Sequence, residues 1–405
     1  MAVSSGAPLS LYHLLDPEVL ADPYPLYALL RNEDPVHWDP YLHAWVITRY
    51  ADVVEVFQQF SADCTPTPAK LADLGMAELS PIARVMTRMM LFLDPPAHTR
   101  VRRLAAAAFT PRRVERLRSH IQEIAERLLD VALVEGELEV MDDLANPLPA
   151  IVTAEMLGVP ADDHRRLKAW SADFAEMLGN FQQNPGRARG VLRSLEEMTL
   201  YFREAVRREV IRPSDGLINA LASAEVEGDR LDEQEIVANL ILTMVGAQET
   251  TANLIGNGLL ALMNHPAEME RLRDDPQLMP SAVEELLRYE SPSQYTARLA
   301  PTDTELGGRC IQRGEGVMAV IGAANRDPLR FPDADRLDLA REDNRHLAFG
   351  WAGHFCFGAP LARIEGQIAL ATLLRRVPGL RLKPGPLTWR HNLGLRGLTA
   401  LPVLV

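Results

Sequence analysis

The run Phe349-Gly350-Trp351-Ala352-Gly353-His354-Phe355-Cys356-Phe357-Gly358 sets one cysteine in a glycine-rich loop. Leu361, Ile364, Ile368, Ala371 and Leu374 follow at steps of three and four, the spacing of one helix face. Pro360 suits a first helical turn, and Val377-Pro378-Gly379 stops the pattern. Cys356 therefore sits just ahead of a helix N-terminus. Backbone N–H groups there, like a bound cation, favour a thiolate. Such a thiolate is either a nucleophile or a metal ligand.

As a nucleophile it would need a base, and His354 stands two residues away. As a ligand it has little company. There is no CxxC, no HExxH and no facial triad. A single protein thiolate on a metal fits haem, where the porphyrin supplies four ligands. The loop resembles the haem-binding signature of the cytochrome P450 family, F-G-x-G-x-H-x-C-x-G. It departs at Ala352, where the family usually carries Gly. The resemblance implies that Cys356 is the axial ligand of the haem iron, with His354 at a propionate and Phe349 and Ala247 beside the cofactor.

Other stretches must position that loop. His98 and Arg102 are spaced i, i+4 on one helix face, as a pair of propionates would need. They match the family's H-x-x-x-R. Asp232 to Glu235 reads as a capping box that opens a helix of some thirty residues, ending at Asn264-His265-Pro266. Its middle, Gly246-Ala247-Gln248-Glu249-Thr250-Thr251, is poor helix material, and local rules broken in a core suggest a functional site. Thr hydroxyls there can bond the i−4 carbonyl and open the ladder. This segment resembles the family's A-G-x-E/D-T-T with its first two positions exchanged. The resemblance implies that Thr250 hydrogen-bonds dioxygen and that Glu249 relays protons from solvent. Glu285 and Arg288 match E-x-x-R, a structural pair, with Arg341 the first candidate and Arg336 the second for its third member. Arg298 matches a strand arginine that binds a propionate.

Residues 61–93 are irregular and rich in Met, including Met76, Met86, Met89 and Met90. Met surfaces adapt to varied apolar ligands, and in the family this segment caps the substrate pocket. Trp170, Phe174, Met177, Leu178 and Phe181 form an apolar face that would roof it. Val245, Gln294, Thr296 and Leu395 complete the expected lining. Arg100, Arg103, Arg112, Arg113, Arg116 and Arg118 form a basic cluster on an acidic chain, which suits an acidic partner. In the family that partner is a ferredoxin.

The 405 residues show no linker or low-complexity run, so one domain over 1–405 is expected. The net charge of −13 argues against nucleic acid. Three scattered cysteines exclude a disulfide framework and suit a reducing cytoplasm. Neither a signal peptide nor a membrane span is visible. The expected fold is mainly α with small β-sheets, the cytochrome P450 fold, with haem between the long central helix and the helix following the Cys loop. The expected activity is that of a haem-thiolate monooxygenase. It would insert one oxygen atom from O2 into a C–H bond of an apolar small molecule, by hydroxylation or epoxidation. A secondary metabolite such as a polyketide or terpenoid is the expected substrate. Haem b is the cofactor, and electrons come from NAD(P)H through a ferredoxin and its reductase to a cytoplasmic monomer. A peroxide-driven haem-thiolate enzyme, a non-catalytic haem-binding recruitment module and a cysteine-nucleophile hydrolase are the alternatives.

Overall fold

Asp232 caps a helix that runs from Glu233 to Asn264, 32 residues. Asp232 Oδ1 accepts the Glu235 N–H at 2.8 Å, and Glu235 Oε2 accepts the Asp232 N–H at 2.9 Å. At about 1.5 Å per residue this helix is roughly 48 Å long and crosses the molecule. From Ile236 to Leu262 every residue is buried except Leu242, Thr243, Gly246, Ala247 and Thr250. Those five share one face, so the core helix is closed all round except for a single stripe at its middle. The structure is a computed structural model, and it describes residues 8–65, 67–73, 76–135, 138–178 and 185–405. Phe181 of the expected roof lies outside them.

Helices Pro147–Leu157, His164–Leu178, Pro185–Ile211, Met279–Tyr289 and Ala359–Arg376 pack around the central helix. The last of these starts three residues after Cys356. It lies so close to the central helix that a Cβ on Gly366 would stand 2.8 Å from Leu254 Cδ2. Glycine is what permits that approach.

A four-stranded sheet stands to one side. Val36–Asp39 and Ala44–Ile47 form an antiparallel hairpin, with Val36 opposite Ile47. Ala44–Ile47 pairs in parallel with Gly316–Ala319, which pairs antiparallel with Thr296–Leu299 and sets Arg298 opposite Val317. The strand Gly316–Ala319 is followed almost at once by a short helix, Ile321–Ala324. Its small residues allow this turn to tuck in, since a Cβ on Gly322 would meet Gln294 at 2.5 Å and Tyr27 at 3.0 Å.

Glu285 and Arg288 are both fully buried. Arg288 donates to both Glu285 oxygens at 2.7 and 2.8 Å and to the carbonyls of Asn325, Ala334 and Arg336. Arg341 Nε completes the group at 3.2 Å from Glu285, whereas Arg336 gives only its carbonyl. Among the described residues no helix is long and apolar enough to cross a membrane, and no cluster of three metal-ligating side chains occurs.

Candidate active site

Cys356 is held by its backbone. Its N–H donates to the Phe349 carbonyl at 2.7 Å, and the Phe355 N–H donates to Ala352 O at 3.1 Å. Gly350 and Ala352 both take left-handed conformations, φ +70° and +52°. Ala352 thus adopts, with a Cβ, the geometry for which the signature uses glycine. Burial pushes the Cys356 thiol up, opposed by the Gly358 and Ala359 N–H groups and by Arg102 and Arg363. A cation on the sulfur outweighs such a burial penalty. Phe349 is buried beneath the Arg363 guanidinium, 4.6 Å from its ring.

Three elements converge beside this loop. The helix Ala97–Ala108 brings His98 and Arg102, the sheet brings Arg298, and the loop brings His354. The rings of His98 and His354 stack at 4.0 Å. Arg102 Nη2 donates to Phe355 O at 2.6 Å. Arg298 is buried; its Nη1 reaches Thr296 Oγ1 at 3.0 Å and Ala297 O at 2.8 Å. Burial, followed by His98, Arg298 and Arg102, pushes His354 down to about 4 against a weaker pull from Asp94. Burial, then Arg102, also lowers His98. Buried Arg298 Nε and His98 Nε2 have no hydrogen-bond partner, and none of the four residues has an ion pair among the described residues. Buried polar atoms without partners are costly unless a ligand completes them. Two propionates would do so, and the residues present fit haem.

On the central helix, Thr250 and Ala247 lie on the open stripe, and a Cβ on Gly246 would meet no atom within 4 Å. The helix runs through this segment unbroken, contrary to the opened ladder expected from its threonines. Thr250 Oγ1 donates to the Gly246 carbonyl at 2.6 Å, so the back-bond adds to the ladder rather than replacing it. Glu249 points the other way and is buried. It is gripped by Lys168 Nζ and by Arg390 Nη1, the latter at 2.6 Å. Behind it lies a polar cavity of about 110 Å³ lined by Asp173, Glu176, Asn253, Arg390 and Asn392. Lys168 and Arg390 were not foreseen. The one available signal was scarcity, since Lys70, Lys168 and Lys383 are the only lysines in an arginine-rich chain.

The expected pocket residues divide. Met89, Met90, Phe174 and Val245 are buried in the core cluster that also holds the central helix, with Met177 packed against it. Leu395 borders the cavity behind Glu249. Thr296 supports Arg298. Gln294 is not brought to them: its Oε1 accepts from Tyr27 Oη at 2.9 Å and its Nε2 donates to Ser291 O at 2.7 Å, which ties it into N-terminal packing. The basic cluster shrinks as well. Arg100 is bound by Asp229 and Glu235, Arg103 by Glu227 and Arg118 by Glu115. Arg112, Arg113 and Arg116 have no ion pair among the described residues.

The family profile for cytochrome P450 matches residues 174–377. A biotin biosynthesis cytochrome P450 from Bacillus subtilis is 37% identical over 389 residues, covering 95% of this chain and 97% of that protein. The cytochrome P450 monooxygenase PikC from Streptomyces venezuelae is 38% identical over 400 residues, covering 96% and 92%. The crystal structure of P450BioI in complex with hexadec-9Z-enoic acid ligated acyl carrier protein superposes with a TM-score of 0.90 at 36% identity, covering 96% of this chain and 100% of that one. Similarity of this extent, in sequence and in backbone alike, makes the chain a member of the cytochrome P450 family, a haem-dependent monooxygenase served by redox partners.

Proposed function

We propose that Cys356 holds the haem iron, that His98, Arg102, Arg298 and His354 receive the propionates, and that Glu249 and Thr250 deliver protons. The reaction would place one oxygen atom from O2 into a C–H bond of an apolar polyketide- or terpenoid-like molecule, by hydroxylation or epoxidation. One observation carries this reading. Two adjacent residues put a hydroxyl on the open stripe of the central helix and a carboxylate on a polar cavity behind it. Such a pair can pass protons between compartments that an apolar wall otherwise separates.

Bound haem would supply oxygen activation and the oxidising power for the C–H bond. The chain supplies the rest. Thr250 commits its one hydroxyl proton to Gly246 O, so it must turn away from that carbonyl to donate elsewhere. Glu249 can accept a proton only as its grip by Lys168 or Arg390 loosens. Burial lowers Lys168, with Glu249 opposing, so this cation depends on its partner. Electrons from NAD(P)H would arrive through a ferredoxin and its reductase. An acidic ferredoxin would meet Arg112, Arg113 and Arg116, whose segment packs on the cysteine-loop helix, with exposed Phe355 on the cysteine loop itself. The biotin biosynthesis relative and the P450BioI complex with an acyl-loaded carrier protein put acyl chains, free or carrier-bound, among the substrates to screen.

Thr250→Ala tests the assignment. The variant should keep its haem while most NAD(P)H electrons are released as hydrogen peroxide, because losing the roughly 10²–10⁴-fold that general acid catalysis supplies lets release outrun proton delivery. Peroxide release at the wild-type level would remove Thr250 from the role.

A further inference from the structure

Asn239 interrupts the apolar run at the start of the central helix, and proton delivery gives it no part. It is buried, 1% exposed. A buried amide is costly unless bonded, and both polar atoms of this one are bonded. Its Oδ1 accepts the Met90 N–H at 2.9 Å. Its Nδ2 donates to Arg88 O at 3.0 Å and to Glu235 O at 2.8 Å. Two of the three bonds therefore hold the backbone of the Met-rich segment.

One turn earlier, Glu235 takes the Arg100 guanidinium on both oxygens, at 2.6 and 3.2 Å. One turn later, Thr243 on the open stripe donates to Asn239 O at 2.7 Å. Both ends of the stretch from Arg88 to Arg100 thus hang on the first two turns of the central helix. Between them the segment has a local bond from Phe92 N–H to Met89 O, and at Asp94 it accepts from Ser61 Oγ at 2.5 Å and from the Ala62 N–H at 2.9 Å.

We infer that Asn239 is a positioning residue: it pins the backbone of Arg88–Met90 to the central helix and so fixes the near wall of the substrate site. The inference rests on the reading that this Met-rich segment caps the site. Methionine side chains are pliable and accept varied apolar shapes. Their backbone here is not free to follow them, because release leaves the buried Met90 N–H and the part-buried Arg88 C=O without their partner. The wall adapts through side chains over a fixed frame, and the amide sets where that frame stands.

Two holoprotein variants test this. Asn239→Leu is close in size and removes the amide. Met90→Pro removes the donor from the other side. Met89 is extended at φ −76°, ψ 131°, and Met90 opens a short 3-10 turn, so proline is tolerated there. Hydrogen exchange of Leu91–Leu93 amides and tryptic cleavage after Arg88 read the clamp. Imidazole and bifonazole, titrated by their Soret shifts, read the wall. Each variant should speed exchange and cleavage about tenfold, and Asn239→Leu, which keeps every methionine of the wall, should change the bifonazole-to-imidazole affinity ratio about tenfold. Imidazole affinity and the reduced CO spectrum should stay at wild-type values. Wild-type exchange in both variants overturns the clamp. Faster exchange with an unchanged azole ratio overturns the positioning role. Wild-type protein that binds no haem would sink the cofactor reading instead, and exchange would still report on Asn239.

Discussion

Arg288 and Arg298 stand ten residues apart, and both are buried, at 0% and 4% exposure. Arg288 has five hydrogen bonds, two of them to the Glu285 carboxylate. Arg298 has two bonds to local neutral acceptors, an unpartnered Nε and no ion pair among the described residues. Burial lowers its pKa, with Cys64 and Asp94 opposing. The difference teaches how to tell a structural charge from a working one. A structural arginine is saturated by its own chain. A working one is desolvated and left open, which costs stability and suits an anionic ligand.

Breaking the saturated cluster should have the largest effect. Glu285→Ala leaves Arg288 buried and unpaired, which costs about 3–5 kcal/mol. That is a large part of a typical stability of about 5–15 kcal/mol, so urea unfolding should show a deeply weakened or unfolded protein.

Glu284, next along the same helix, gives an acid-pH version of the same test. Burial works against its charge, yet Arg363 and His346 hold it down to about 2 from 4.5. A depressed carboxyl contributes stability that is full above its unfolded value and lost as pH falls from 4.5 through 2. The shift corresponds to something on the order of 3 kcal/mol. Glu284→Gln should flatten that part of the acid limb, seen by comparing unfolding free energies at pH 7 and near pH 2.

The open cluster should respond with the other sign. Arg298→Leu removes a buried cation that has no ion pair among the described residues, only two neutral acceptors and the Phe57 ring at 5.5 Å, so the apoprotein should be unchanged or firmer by about 1 kcal/mol. The same variant should release haem about tenfold faster in a globin-transfer assay, because a charge-assisted contact is lost. A destabilised apoprotein with normal haem retention would make Arg298 structural like Arg288. Ala352→Gly is the smallest test. Relief of φ +52° should stabilise the loop by about 1 kcal/mol, read as a raised melting temperature.

What was legible in the sequence was local. The cysteine loop, the capping box, the i, i+4 pairing of His98 with Arg102 and the Glu285–Arg288 pair each lie within one short segment, and all appear where the spacing put them. Partners from distant segments were not legible. Nothing near Glu249 announces Lys168 or Arg390, since periodicity fixes which face a residue occupies and not what packs against it. For the same reason Arg100, Arg103 and Arg118 looked like a docking surface until the acidic side chains that bind them came into view. Gln294 looked like pocket lining because an extended segment does not reveal which neighbour takes its amide. Asn239 was visible only as an interruption, and its meaning needed the backbone it holds.

Thiolate ligation by Cys356 is the claim on which the rest depends, and the CO spectrum of the reduced holoprotein tests it most directly. The wild-type protein should show the red-shifted Soret band of a haem-thiolate, and Cys356→Ser should lose it. An unshifted band in the wild type, or a shifted band that survives in the variant, would contradict it.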